Sequence, residues 1–280
     1  STIIPTMALR RYFNLCTSND SQCNLTDFGG ATGYDKGWVN HNDIQAHVNR
    51  YGFVLKHLIT GKAKDAKTIL DVGSGRNELP FFLWRNKCTS AGRSYWGMEL
   101  RMTEKWLPEE DTHWQVPMNL VRMDILDSDP SQCEGWPGQF DVVVNFEVFE
   151  HVPVARQQHL LNRLFSWTAP GGLCFFSTPN AGVSDSTAEN HMDPVTGQSR
   201  ERTYADKLAM VREAGFEVLD TYGTFCGVTR LPEEVRARFK TDPLLAKAKE
   251  FLLHSMFTTM VSCAYPEHSN NSLFLLRRPA

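Results

Sequence analysis

The stretch Thr68-Ile69-Leu70-Asp71-Val72-Gly73-Ser74-Gly75 constrains this chain more than any other. An apolar run that breaks on two closely spaced glycines reads as a buried strand leading into a tight turn. Lacking Cβ atoms, Gly73 and Gly75 let a ligand meet the main chain closely. Asp71 separates the ligand classes. A loop that offers amide N–H groups and a helix N-terminus suits a pyrophosphate, and a carboxylate at its entrance repels that anion. The third glycine of the dinucleotide fingerprint is also missing, because Asn77 and Glu78 stand where it would fall. A ligand that carries a sulfonium and an ammonium but no phosphate, such as S-adenosylmethionine, is attracted where a dinucleotide is repelled.

More strands follow, and two of the next three run into an acid. Ser94-Tyr95-Trp96-Gly97-Met98-Glu99-Leu100 is the second, with Glu99 placed to bond ribose hydroxyls. Leu120-Val121-Arg122-Met123-Asp124 is the third, and its terminal Asp124 suits an adenine amino group. Phe140 to Asn145, Gly172 to Ser177, Phe216 to Tyr222 and Ser272 to Leu276 complete the series. Helical segments fall between them. One begins at Pro80, and another from Val154 to Trp167 places Leu160, Leu161, Leu164 and Phe165 on one stripe, with Pro170-Gly171-Gly172 as its stop. Alternating strands and helices predict an α/β fold: a doubly wound, mostly parallel sheet covered on both faces.

Directly after the fourth strand comes Phe146-Glu147-Val148-Phe149-Glu150-His151-Val152. A helical turn here puts Glu147, Glu150 and His151 on one face, since they stand at i, i+3 and i+4. Two carboxylates and an imidazole can hold a divalent cation such as Mg²⁺ or Mn²⁺. His191, in the polar stretch 181–203, is placed to close over them as a fourth ligand, although Met192 to Arg202 intervenes before Tyr204. A metal there lowers the pKa of a substrate hydroxyl. Without metal, His151 or Glu147 serves as general base. The third alternative is structural: Glu150 and His151 cap the helix, and Glu147 lines a pocket.

The order of elements from about Tyr51 to Pro279 resembles the class I methyltransferase fold. The resemblance implies a seven-stranded sheet whose last strand inserts antiparallel between the fifth and sixth. Phe146 to Val152 and Ser177-Thr178-Pro179-Asn180 resemble two groups within that fold, the ubiquinone-biosynthesis O-methyltransferases and the small-RNA 2′-O-methyltransferases. Both carry Glu-x-x-Glu-His after the fourth strand. The resemblance implies that Asp71, Gly73 and Gly75 hold the donor's methionine part, Glu99 its ribose and Asp124 its adenine, with Asn145 among the donor-binding positions. It also implies a helical and loop cap over residues 1–66 and a methyltransferase domain over 67–280. Within that domain, the polar stretch 181–203 follows the fifth strand and reads as a lid loop over the sheet's carboxyl edge, and 231–265 reads as a helical insertion before the final strand. Tyr34, Trp38 and Tyr51 are lid candidates, or aromatic anchors of the cap.

Composition narrows the acceptor. The net charge of −3 leaves no global footprint for nucleic acid. Arg230, Arg236, Arg238, Lys240, Lys247 and Lys249 cluster, but Glu233, Glu234 and Glu250 interleave with them, as on a solvated amphipathic helix. No proline follows Asn145, which argues against amino-methylation of DNA bases, and no Pro-Cys pair exists for cytosine-5 chemistry. The seven cysteines show neither C-x-x-C nor short metal-ligand spacing, which fits free thiols in a reducing compartment. No apolar run reaches the ~20 residues of a membrane span, and no signal-peptide pattern is seen. The expectation is a cytoplasmic enzyme that methylates an oxygen, less readily a nitrogen, of a small molecule. Methylation of an RNA ribose hydroxyl and an inactive donor-binding subunit are the alternatives.

Overall fold

The computed structural model describes residues 2–4, 41–75, 79, 80, 83, 92–100, 118–183, 191–194, 196–252 and 254–280. Among the described residues, eight strands form one sheet in the order β1-β4-β3-β2-β5-β6-β8-β7. They are β1 Thr2–Ile4, β2 Thr68–Val72, β3 Ser94–Glu99, β4 Met118–Arg122, β5 Phe140–Phe146, β6 Thr168–Pro179, β7 Glu217–Thr224 and β8 Asn271–Arg277. Without the short β1, the order is that of the class I methyltransferase sheet, and β8 runs antiparallel to β7. The expected sheet is present with one strand more, since β1 adds antiparallel to β4.

The chain separates into two compact units. The first comprises Ser1–Asn145, Asn162–Phe175 and Arg278–Ala280. In it β2 pairs parallel with β3 and β5, and β3 with β4. Ile69, Leu70, Val72, Val142, Val143 and Val144 are all buried. That is why these strands read as continuous apolar runs instead of alternating ones. Helix α1 (His41–Ile59) ends against a buried cation: Arg93 donates from Nη2 to the Leu58 carbonyl at 2.9 Å and from Nε to the Ala66 carbonyl at 3.0 Å. Trp96, Trp136 and Phe140 pack edge to face.

The second unit comprises Phe146–Leu161 and Phe176–Arg277. Phe149 and Phe176 pack edge to face, and Tyr204 stacks on Phe274. Residues 231–265 hold three short helices, α4 Glu233–Thr241, α5 Pro243–Phe251 and α6 His254–Ser262. Val235 and Phe239 of α4 pack with Phe257 of α6, Cys226 and Leu231 in a core of their own.

Three boundaries differ from expectation. Helix α2 (Gln157–Trp167) stops at Trp167, and Pro170-Gly171-Gly172 lies inside β6. Gly171, at φ 76°, sits where the strand is tied to the carboxyl terminus: its N–H donates to the Arg278 carbonyl, and Arg278 N–H to the Gly172 carbonyl. Strand β4 spans Met118–Arg122, so Asp124 lies two residues past its end. The turn after β5 is a three-residue 3₁₀ helix, Phe149–His151, which excludes Glu147. Tyr34 and Trp38 lie outside the described residues; Tyr51 is buried on α1.

Candidate functional site

In the first unit, β2 ends at Val72 and the backbone enters the left-handed region at both glycines, with φ 75° at Gly73 and 55° at Gly75. Side chains with a Cβ meet the backbone there, which is why both positions are glycine. The Gly73 and Ser74 N–H groups donate to the Met98 carbonyl at 2.8 and 3.0 Å, tying the turn to β3. Glu99, at the end of β3, accepts the Gly75 N–H on Oε2 at 3.1 Å. The carboxylate expected at the ribose therefore also holds the shape of the turn.

Asp71 is buried in β2, and its Oδ2 accepts the Tyr95 hydroxyl at 2.9 Å. Burial pushes its carboxyl up to about 7, with the Tyr95 hydrogen bond opposing that rise and the Glu99 charge adding to it. A carboxyl in that condition is recharged by a nearby cation. Asn145, fully buried in β5, donates from Nδ2 to the Val72 carbonyl at 2.9 Å. Among the described residues, its Oδ1 and the Ser74 Oγ are buried without a hydrogen-bond partner. Polar atoms buried in this way call for a ligand or water partner. Asp124 Oδ1 accepts the Leu126 N–H at 2.8 Å and shapes the turn after β4. An anionic entrance, a glycine turn open to close approach and two unsatisfied polar atoms fit a cationic, phosphate-free donor.

The second unit holds the Glu and His residues. Glu147 is one of two non-glycine residues with positive φ among the described residues, at 56°. Such a conformation costs on the order of 1–3 kcal/mol and persists where neighbours over-determine it. Here its N–H donates to the Ser177 carbonyl at 2.9 Å, and its carboxylate accepts Ser177 Oγ at 2.9 Å and Asn271 Nδ2 at 2.6 Å. The expected single helical face is therefore not formed, because the chain reverses sense at Glu147 before the 3₁₀ turn begins.

Glu150 and His151 do converge with His191. Each offers a ligand atom, and the three atoms lie within 4.8 Å of one another. The His151 and His191 rings are 5.0 Å apart, centroid to centroid. Residues 192–199 turn out and back: Met192 bridges Ser199 antiparallel, the Asp193 N–H donates to the Gln198 carbonyl, and the Arg200 N–H to the His191 carbonyl. The return arm is pinned. Arg200 Nη1 donates to the His151 carbonyl at 3.1 Å, Gln157 Nε2 to the Arg200 carbonyl at 2.5 Å, and Arg202 Nε to Gln157 Oε1 at 2.7 Å. That hairpin carries His191 to the cluster despite the intervening residues.

Charge is dense here. Glu150 is buried, accepts Thr178 Oγ1 at 2.8 Å, and is held well above the usual carboxylate range by burial and by the Glu147 charge. Lys207 is wholly buried on α3 (Tyr204–Glu213), donating from Nζ to the Thr178 and Pro179 carbonyls at 3.1 and 2.7 Å. Burial pushes its ammonium down to about 7 against the opposing charges of Glu147, Glu150 and Glu201. His191 Nδ1 lies 2.8 Å from Glu201 Oε1. Burial lowers the imidazole, but the Glu201 hydrogen bond and the charges of Glu150, Glu201 and Glu147 outweigh it and leave it raised.

Sequence reasoning missed Thr178, Glu201 and Lys207. Signals existed for two of them: Thr178 lies in the Ser177-Thr178-Pro179-Asn180 motif, and Lys207 stands four residues before Val211 on the buried stripe of α3, where an apolar residue is expected.

With this geometry in view, a family model described as a methyltransferase domain matches residues 9–221. A curated "probable S-adenosylmethionine-dependent methyltransferase" of Mycolicibacterium smegmatis is 32% identical over 119 residues, or 42% of this chain. The match spans 45% of that relative, under half its length. Among solved structures, magnesium protoporphyrin IX methyltransferase from Synechocystis PCC 6803, with bound S-adenosylhomocysteine, superposes at TM-score 0.54 and 15% identity, covering 91% of this chain and 98% of its own. The methyltransferase domain of a bacterial Hen1 protein superposes at TM-score 0.50 and 17% identity, covering 82% and 98%. At these identities the structures speak for the fold alone.

Proposed function

The chain belongs to the class I S-adenosylmethionine-dependent methyltransferase family, and on that premise we propose that it transfers the methyl group to a hydroxyl oxygen of a small molecule, with Glu150, His151 and His191 holding a divalent metal. One observation carries the metal: a carboxylate and two imidazoles offer ligand atoms within 4.8 Å of one another. A mixed oxygen and nitrogen set suits a hard to borderline divalent ion, and Mn²⁺, at the hard end, accepts both ligand types. Glu147 stays outside that set: the converging ligand atoms belong to Glu150, His151 and His191, while its carboxylate accepts Ser177 Oγ and Asn271 Nδ2. A divalent ion held by Glu150, His151 and His191 would supply Lewis acidity beside the acceptor hydroxyl and ease its deprotonation.

The chain's own residues do the rest. Gly73 and Gly75 admit the methionine part of the donor to the backbone, Glu99 takes the ribose hydroxyls, and Asp71 offers negative charge to its ammonium and sulfonium. Asn145 on the donor side and Glu147 are two residues apart in the chain. In the transfer, the acceptor oxygen forms a bond to the methyl carbon as the carbon–sulfur bond breaks, and the pair of electrons stays on sulfur as a neutral thioether. With His151 and His191 engaged as ligands the hydroxyl proton goes to solvent; in the metal-free reading it goes to His151 as general base.

The test uses full-length protein and a panel of hydroxylated acceptors, with S-adenosylhomocysteine formation as the readout. Turnover that chelator removes and Mn²⁺ restores supports the reading; turnover indifferent to chelator leaves His151 as a metal-free base. The Glu-x-x-Glu-His signature shared with small-RNA methyltransferases supports a second acceptor, the terminal ribose of RNA. Methylation of RNA with salt-dependent binding would move the assignment there.

A further inference from the structure

We infer that Glu201 is a positioning residue that fixes His191 in the Nδ1–H tautomer, so that the Nε2 lone pair is the one presented to the cluster. This rests on the metal reading above only for its consequence, since the tautomer is a property of the protein by itself. Glu201 lies on the return arm of the hairpin, ten residues after His191, and nothing in the local sequence marks it. Its carboxylate is buried, 3% exposed against 14% for the His191 side chain, and Oε1 stands 2.8 Å from Nδ1. An ionised carboxylate only accepts, so the ring nitrogen facing it carries the proton. The unprotonated nitrogen of a neutral imidazole is then Nε2.

Another His–Glu pair among the described residues shows what this geometry adds. His268 and Glu267 are 3.7 Å apart and 40% and 47% exposed, a surface contact that fixes no tautomer. The Glu201 backbone is also held, its N–H donating to Ser199 Oγ at 3.2 Å, between Arg200 and Arg202, both tied to other chain segments. A carboxylate so placed behind a ligating imidazole orients the ring and raises its basicity, and removing such a partner costs roughly 10–100-fold in metal affinity.

The experiment uses full-length protein labelled with ¹⁵N-histidine, and the His191 resonances are identified by their loss in His191→Asn. At a pH above the imidazole titration, the wild type should show a protonated Nδ1 and an unprotonated Nε2. Glu201→Met, which keeps the volume and cannot accept a hydrogen bond, should shift His191 to the Nε2–H form. Glu201→Gln keeps an accepting oxygen and should keep the wild-type form. Mn²⁺ affinity, read by electron paramagnetic resonance, should fall roughly 10–100-fold in Glu201→Met, with S-adenosylhomocysteine affinity unchanged by calorimetry. A wild type in the Nε2–H form overturns the inference even if Glu201→Met fails to fold, and so does a Glu201→Met protein that keeps the Nδ1–H form. A Glu201→Met protein that binds Mn²⁺ as the wild type does overturns it equally. A wild type that binds no Mn²⁺ removes the metal reading instead, and the tautomer spectra then decide Glu201 alone.

Discussion

The glycine turn after β2 and the Glu150–His151–His191 cluster are built on opposite plans. The turn is made by consecutive residues in unusual backbone conformations, with Gly73 and Gly75 at positive φ and one carboxylate, Glu99, closing the ring. The cluster is made by ordinary side chains brought from far apart in the chain: Thr178 onto Glu150, Glu201 onto His191, Arg200 onto the His151 carbonyl. A site written in backbone geometry fails when one residue cannot adopt the required φ. A site written in side-chain hydrogen bonds degrades in steps, because each partner can be removed separately. The same contrast appears in the charges, where Asp71 has one hydroxyl partner and Glu150 shares its surroundings with Glu147, Lys207 and His191.

The largest expected effect tests the backbone plan. Gly75→Val places a β-branched side chain at φ 55°, a conformation such residues hardly adopt. S-adenosylhomocysteine binding by calorimetry should be lost, while Gly75→Ala should retain a weakened affinity. Undiminished binding in the valine variant would mean that the turn does not meet the donor.

A smaller and different loss is expected from the cluster. His151→Ala should lower kcat by roughly 10²–10⁴-fold, the scale of a lost acid–base or ligating group, and leave donor affinity unchanged. A matching fall in donor affinity would merge the two sites and break the contrast drawn above.

The contrast also explains what could be read in advance. The seven strands of the expected sheet all exist; burial on both faces writes β2, β5 and β8 as apolar runs, while β7 at the sheet's edge is buried only at its end. The glycine turn after β2 and the carboxylate that meets it could be read in advance, because Asp71, Gly73 and Gly75 stand in one local motif and Glu99 at a strand end; their role toward a donor is the proposal made above. The helical face proposed for Glu147, Glu150 and His151 was not formed, since residue spacing carries no information on φ, and the 56° at Glu147 is imposed by Ser177 and Asn271. His191 was legible as a residue type in a polar loop, but the hairpin that delivers it depends on pairings such as Met192 with Ser199. Glu201 left no mark at all. Its role exists only once His191 is 2.8 Å away.

Glu99 stands between the two plans, as a side chain that stabilises backbone. Each charge-assisted hydrogen bond to a ribose hydroxyl contributes roughly 1.5–3 kcal/mol, so Glu99→Ala should weaken S-adenosylhomocysteine about tenfold or more. Part of that loss comes from releasing the Gly75 N–H. Glu99→Gln, which keeps an accepting oxygen, should lose less. Equal losses in both variants would assign the whole effect to charge and none to the turn.

The smallest effect concerns stability and isolates the charge at Glu150. Its carboxyl is raised in the folded protein, by burial first and the Glu147 charge second. As pH climbs out of the ordinary carboxylate range, the unfolded chain releases this proton while the folded protein keeps it. The folded state then binds more protons than the unfolded one, so the contribution of Glu150 to stability falls as pH rises until the folded group also ionises. Glu150→Gln removes the titration and keeps an oxygen to accept Thr178 Oγ1. In metal-free protein the variant should therefore gain Tm over the wild type as pH rises from about 5 to about 8, and should match it at the acid end. The wild-type curve alone does not isolate this, because Lys207, lowered to about 7, titrates with the opposite sign: its cost to stability grows as pH falls. The difference between variant and wild type removes that contribution to the extent that the two groups act independently. A variant that loses ground as pH rises would show that Glu150 is ionised and paired in the folded protein. The cluster would then be held by a preformed ion pair, and its resemblance to the lone buried carboxyl of Asp71 would end there.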